Sequence, residues 1–261
     1  MNPITKAVYG PVKSWRFGHS LGIDPVFEIS TCSFNCIYCQ LGHIQRVTME
    51  RKIFVPTAKV LEDFQEFKTK PYDVITFSGS GEPTLALNLA EIAQGLKAQS
   101  PQTPLIILTN ATLFTDPAVR EDLNYFDRVI AKLDAPDDET LQMMNRPAEG
   151  ISIASIKEGI RMLKKSYQGE LDIQMMFMPA NLQVVEEFAA FLSEIEPHTI
   201  QLNTPLRPYP MIWRRENRGN HIESRDYETR TLRVITPEEA KKLETILRES
   251  TGLNVLSVYR E

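Results

Sequence analysis

Six short runs of near-continuous apolar, largely β-branched residues recur along the chain, and longer stretches with helical periodicity separate them. The runs are Val26 to Ser30, Asp73 to Ser78, Pro104 to Thr109, Asp127 to Asp134, Leu171 to Met178 (stopped by Pro179) and His198 to Asn203 (followed by Pro205). Runs without polar alternation are those of parallel strands covered on both faces. Helices are expected over about 57–69, 86–99, 116–125, 151–167 and 181–195. Asp116-Pro117 reads as N-cap and first helical residue. A last helix should start at Thr236-Pro237-Glu238-Glu239, an N-cap with an acidic first turn. Leu253 to Tyr259 then reads as a closing strand or a packed tail.

Strand and helix in alternation predict a parallel sheet with right-handed crossovers. The polar residues follow the strand ends: the cysteines, Glu82, Asn110, Asp134 and Asn203. In a barrel such loops converge on one face, so the expected fold is an α/β, partial (β/α)6 TIM-like barrel, open because it has six units rather than eight. A single domain is expected over 1–261, with an N-terminal extension at 1–25, the barrel core at 26–205 and a C-terminal flap and helix at 206–261.

Composition narrows the function classes. With 42% apolar residues the chain can bury a sizeable core, and no run of 18 apolar residues offers a membrane span. The N-terminus lacks the apolar h-region of a signal peptide, so a cytoplasmic location is expected. A net charge of −5 does not favour a general nucleic-acid binder. The exception is 207–233, where Arg207, Arg214, Arg215, Arg218, Arg225, Arg230 and Arg233 accompany Tyr209, Trp213 and Tyr227. These side chains either bind phosphates and stack bases, or pair with Glu216, Glu223, Asp226 and Glu228 on a solvated flap.

All three cysteines, Cys32, Cys36 and Cys39, fall within Ser30 to Gly42. An odd, tight cluster in a reducing compartment is not a disulfide framework. Two metal readings stand on the residues. A structural zinc takes four ligands, and His43 would complete a Cys3His set. An iron–sulfur cubane normally takes four thiolates, and three would leave one iron open to chelate a small molecule.

C-x3-C-x2-C with Tyr38 before the last cysteine resembles the signature of the radical S-adenosylmethionine (SAM) superfamily. "SGSGEP" (Ser78 to Pro83) resembles its Gly-Gly-Glu motif, with Ser80 where glycine is commoner. Tyr9 to Asp24, "SGSGEPTL", "KLDA" (Lys132 to Ala135), "NRP" (Asn145 to Pro147) and Gln201 to Pro208 extend the likeness to iron–sulfur oxidoreductases related to the wybutosine-synthesis radical SAM enzyme. No cysteine remains here for the second cluster of that enzyme.

The resemblance implies an enzyme with one 4Fe-4S cluster on Cys32, Cys36 and Cys39, whose open iron binds SAM and whose electron releases a 5′-deoxyadenosyl radical. It places Tyr38 along the adenine and Asn203 beside it. Glu82, with the backbone of Ser80 and Gly81, would meet the SAM amino group. Lys132 would meet the carboxylate and Asp134 the ribose, although these two share a strand face and can instead pair with each other. Asn110, with Thr109, is expected to touch SAM or substrate, or to cap a helix. Gln174, Met176 and Met178 share a face, as core or as cofactor contacts. Arg16 and His19 would close the barrel mouth, bind substrate, or form surface ion pairs. Reduced flavodoxin or ferredoxin is the implied electron donor. The expected substrate is a tRNA; the alternatives are a protein or peptide, including glycyl-radical activation, or a non-catalytic zinc-binding module.

Overall fold

Seven parallel strands curl around a common interior and one antiparallel strand extends an edge; the computed structural model describes residues 6–219 and 227–259. In chain order the elements are β1 (Val8–Ser14), β2 (Gly18–Ile23), β3 (Thr31–Cys32), β4 (Arg46–Val47), α1 (Thr57–Gln65), β5 (Val74–Phe77), α2 (Leu89–Gln99), β6 (Leu105–Thr109), α3 (Pro117–Leu123) and β7 (Arg128–Lys132). They continue with α4 (Asp138–Met144), α5 (Ile153–Ser166), β8 (Glu170–Met176), α6 (Ala189–Ile195), β9 (Ile200–Asn203), β10 (Tyr209–Pro210), β11 (Thr229–Arg230), α7 (Pro237–Thr251) and β12 (Val255–Ser257). The main sheet runs β1-β2-β5-β6-β7-β8-β9-β12, with only the β1–β2 pair antiparallel. Six β/α units, from β2–α1 to β9–α7, therefore form a half-barrel that β12 closes at one edge.

Successive strand residues face opposite layers. Ile75 and Phe77 of β5, Leu105 and Ile107 of β6, Val129 and Ala131 of β7, and Ile173 and Met175 of β8 point outward and are fully buried under the helices. Val74, Ile106 and Ile130 point inward and form a separate small cluster beneath Phe17, at the N-terminal end of the barrel. Further along the same inward rows the residues become polar: Thr76, Lys132, Gln174 and Asn203. The apolar floor and polar upper wall prepare the interior to hold something.

Three expectations are corrected. Val26 to Ser30 is not a strand: the Asp24 carboxylate accepts hydrogen bonds from Val26 N (3.2 Å) and Phe27 N (2.8 Å), and Phe27 adopts φ 44°. The first parallel strand is β2, inside the segment read as an extension. The helix expected over 181–195 divides into a 3-10 stretch, Leu182–Phe188, and α6. An additional helix, α4, is capped by the Asp137 side chain, which accepts from Thr140 N (2.7 Å). Among the described residues no helix is long and apolar enough to cross a membrane.

Candidate active site

The cysteines leave the core in a loop that the rest of the protein holds from three sides. β3 pairs with β4, which ties Cys32 to the returning chain at Val47. Asn35 N–H and Ile37 N–H donate to the carbonyls of Asn145 (2.9 Å) and Met144 (3.0 Å), acceptors that the end of α4 leaves without helical partners. Turn bonds from Cys39 N to Cys36 O (3.1 Å) and from Gly42 N to Cys39 O (3.0 Å) shape the tip. Side-chain and backbone donors point at the sulfurs: Asn145 Nδ2 lies 3.4 Å from Cys36 Sγ, and Phe34 N and Asn110 Nδ2 lie 3.4 and 3.6 Å from Cys32 Sγ. Burial pushes all three thiols up, Cys39 to about 12, while nearby Lys132 opposes this at Cys36 and Cys39.

The loop 78–82 fits against this structure through its glycines. Gly81 passes so close to Thr31 that a Cβ would sit 1.7 Å from the Thr31 carbonyl oxygen, and Glu82 N donates to that oxygen at 3.0 Å. Gly79 has φ +123° and lies against Asp24, where a Cβ would approach to 2.4 Å. The Ser80 amide and hydroxyl both donate to Asp24 Oδ2, at 3.0 and 2.6 Å. Glu82 is 2% exposed and is bound within the protein. Its carboxylate accepts from Thr84 N (3.1 Å), Thr84 Oγ1 (2.7 Å), Thr109 Oγ1 (2.7 Å) and Asn110 N (2.8 Å). Burial raises the Glu82 carboxyl and these bonds counter it. These bonds tie the loop after β5 to the end of β6. Asn110 is likewise spent locally, on Ser33 Oγ (2.7 Å), Thr112 (2.8 Å) and Cys32.

Asp134 is the hub of a second buried network. It accepts from Tyr38 Oη, Asn145 Nδ2 (2.8 Å) and Met176 N (2.7 Å), and Lys132 Nζ lies 3.4 Å away. With no exposed side-chain surface, Asp134 sits behind the cavity wall and pairs with Lys132. Tyr38 turns its ring to the cavity, 5.0 Å beneath Lys132 Nζ. Met176 and Met178 join Tyr38 and Met144 in a small apolar cluster. Asn145 links this second network to Cys36, while the Glu82 network reaches Cys32 through Asn110. In the sequence only its place in "NRP" marks Asn145, and the Asp137-Asp138-Glu139 N-terminal signal is what announces its helix.

One cavity of about 460 Å³ runs from Cys36, Cys39 and Gly81 down to Arg16 and Phe17. Tyr38, Lys132 and Asn203 line it; Ser80, Glu82, Asn110 and Asp134 support it from behind. His43 is exposed and bonded to Asn35 Nδ2 (3.1 Å), and His19 lies 3.6 Å from Asp73 at the surface.

The arginine-rich segment is mostly built into the protein. Arg218 is 2% exposed, stacks 4.9 and 5.1 Å from the rings of Tyr9 and Phe27, and donates to Asp24 at 2.7 Å. Arg215 lies 4.8 Å over Phe27 and donates to Glu28 O (2.6 Å), Arg214 stacks on Tyr227 at 4.6 Å, and Arg207 bonds Gln40. Arg225, Glu223 and Asp226 lie outside the described residues. Because Asp24 holds Ser80 as well as Arg218, Arg218→Gln should leave a buried charge without its partner and cost about 3–5 kcal/mol of stability. Exposed Arg233→Gln should cost within about 0.5 kcal/mol. Urea unfolding of both variants checks this, and equal losses would contradict the clamp.

The donor set suits an iron–sulfur cluster. The three sulfurs are soft ligands met by N–H donors, and two of them open onto a cavity. Among the described residues, no three His, Cys, Asp or Glu side chains converge on a single ion. A polynuclear cluster instead asks for thiolates on separate irons.

The half-barrel thus carries its three thiols at its C-terminal mouth, two of them facing the cavity. The profile of the radical SAM superfamily matches residues 29–192, more than half of the chain, and the chain belongs to that superfamily, whose enzymes use a 4Fe-4S cluster and SAM. It is 44% identical over 253 residues to the UPF0026 protein slr1464 of Synechocystis, covering 97% of this chain and 95% of that one. Its fold is similar to native anSMEcpe with bound AdoMet, with TM-score 0.62 and 19% identity over 92% of this chain and 64% of that chain. It is also similar to TYW1 with a lysine-pyruvate adduct bound, with TM-score 0.59 and 16% identity over 91% of this chain and 74% of that one.

Proposed function

We propose that Cys32, Cys36 and Cys39 hold a single 4Fe-4S cluster, and that the enzyme cleaves SAM reductively to act on a substrate enclosed by the half-barrel. The observation that carries this reading is the shared cavity: Cys36, Cys39, Tyr38, Gly81 and Lys132 all line it. Held by Cys32, Cys36 and Cys39, the cluster would supply the electron for reductive cleavage of SAM and so the means of abstracting a hydrogen atom from substrate. Lys132, held by Asp134 over Tyr38, presents a positive charge to the SAM carboxylate. The backbone of Gly79 and Gly81 faces the SAM amino group, with Glu82 fixing the loop from behind. Tyr38 and Asn203 bracket the adenosine. The apolar floor excludes water from the reacting atoms. Reduced flavodoxin or ferredoxin is the proposed donor.

Arg218, Arg215 and Arg214 are occupied within the protein, which takes three of the segment's arginines out of a tRNA-binding patch. A small molecule that fits beside SAM in the cavity accords better with an interior that Phe17 seals at its base. Anaerobic reconstitution should give about four irons and four sulfides per chain, and SAM should change the electron paramagnetic resonance signal of the reduced protein. One zinc and no sulfide would return the chain to a zinc-binding reading.

A further inference from the structure

The β1–β2 turn carries Trp15, Arg16 and Phe17 into the N-terminal end of the barrel. Phe17 seals the floor against Val74, Ile106 and Ile130, and Arg16 stands beside it in the cavity wall. Arg16 Nε and Nη1 are closed off from bulk water, and neither has a hydrogen-bond partner among the described residues. The Trp15 ring stacks 5.1 Å from its guanidinium carbon. Asp172 attracts it, but Asp172 Oδ2 accepts from Gln201 Nε2 (2.6 Å) and Arg128 Nη1 (3.3 Å), and Asp172 Oδ1, itself buried and without a hydrogen-bond partner among the described residues, makes no bond to Arg16. Arg207, another cavity residue, repels Arg16. Burial and that repulsion push the Arg16 guanidinium down to about 10. A guanidinium with donors left unmatched in a cavity wall offers planar N–H groups, two at a time with Nη2, that suit the oxygens of a carboxylate or phosphate.

This position is remote from the thiols. Asp172 precedes Met176 by four residues on β8, a rise of roughly 13 Å. Met176 packs with Tyr38 at the cysteine level, and the charged groups acting on Cys36 and Cys39 include Lys132 but not Arg16. Lys132 thus stands at the cysteine end of the cavity and Arg16 at its floor, with Lys13 and Arg207 also in the lining.

We propose that Arg16 is a substrate-binding residue at the cavity floor, which grips a carboxylate or phosphate group and thereby orients an anionic small molecule toward the cysteine end. The inference rests on the reading of the upper cavity as the SAM site.

The test titrates the reconstituted protein, with SAM present, with inorganic phosphate and with acetate, followed by phosphorus and proton nuclear magnetic resonance against a chloride control. Saturable binding of one of the two anions by wild type is expected, and the anion that binds identifies the group. Arg16→Gln should weaken that binding at least about tenfold, and Arg16→Lys should weaken it less, because charge remains while the fork is lost. SAM affinity and substrate-free SAM cleavage should be unchanged in both variants. Failure of wild type to bind either anion would overturn the proposal whatever the variants do, and so would undiminished binding by Arg16→Gln. Competition between SAM and the anion, or loss of SAM affinity in Arg16→Gln, would also overturn it by assigning Arg16 to SAM itself. If the SAM reading is wrong instead, cleavage is absent from wild type while the anion titration stands.

Discussion

Cys36→Ser should strip the protein of its cluster and of all SAM cleavage. Cys36 is the thiol that the Asp134 network reaches: Asn145 Nδ2 donates to its sulfur at 3.4 Å while also bonding Tyr38 Oη and Asp134, each at 2.8 Å. A serine hydroxyl is a poor soft-metal ligand, and in this buried setting it has even less tendency to ionise than a thiol. Losing a ligand's hydrogen-bond partner alone costs about 10–100-fold in metal affinity, so losing the ligand itself should exceed that range. Iron and sulfide after anaerobic reconstitution, with 5′-deoxyadenosine as the product assay, provide the readout. The unfolding midpoint of the metal-free protein should barely change, since the new side chain is smaller and polar at a half-buried position. Full iron and sulfide in this variant would remove Cys36 from the ligand set.

Glu82→Ala should do more damage than loss of a SAM contact. The motif alone placed Glu82 on the amino group, where its removal would weaken SAM binding and spare the cluster. The structure instead has it accept four hydrogen bonds, one from Thr109 Oγ1 and one from Asn110 N across β6. Asn110 in turn reaches Cys32 and Ser33. Truncation orphans buried donors at roughly 1–3 kcal/mol each, less whatever entering water recovers, so a loss of about 3–5 kcal/mol is expected. The variant should also reconstitute with less iron than wild type. Glu82→Gln keeps the shape and one acceptor oxygen and should fall between the two. If Glu82→Ala keeps full stability and a full cluster and loses only SAM affinity, the clamp is wrong and the carboxylate belongs to SAM.

These two cases show where sequence reading stops. The runs that form β5 to β9 were legible because strands covered on both faces must be apolar nearly throughout. β2 escaped because Ser20 and Gly22 face the cavity and the Tyr9 ring, leaving "GHSLGI" with only Leu21 and Ile23 as apolar positions. Val26 to Ser30 looked like a strand by composition, but Asp24 two residues earlier captures its first amides. The motifs located the site by position and left the roles open. Whether Glu82, Asp134 or Asn110 meets a ligand or a neighbour depends on partners such as Thr109 for Glu82 and Asn145 for Asp134, which the fold brings together from other elements. The arginine segment was misleading for the same reason. Its composition is that of a surface patch, yet Arg218 pairs with an aspartate 194 residues away.

The central claim is that this chain splits SAM at a cluster held by its three cysteines. The most direct measurement incubates the anaerobically reconstituted, chemically reduced protein with SAM and quantifies 5′-deoxyadenosine and methionine by chromatography. The account predicts that both form in equal amounts, that neither forms without reductant, and that Cys36→Ser yields neither. Intact SAM after prolonged incubation with a reduced, fully clustered wild-type protein would contradict it.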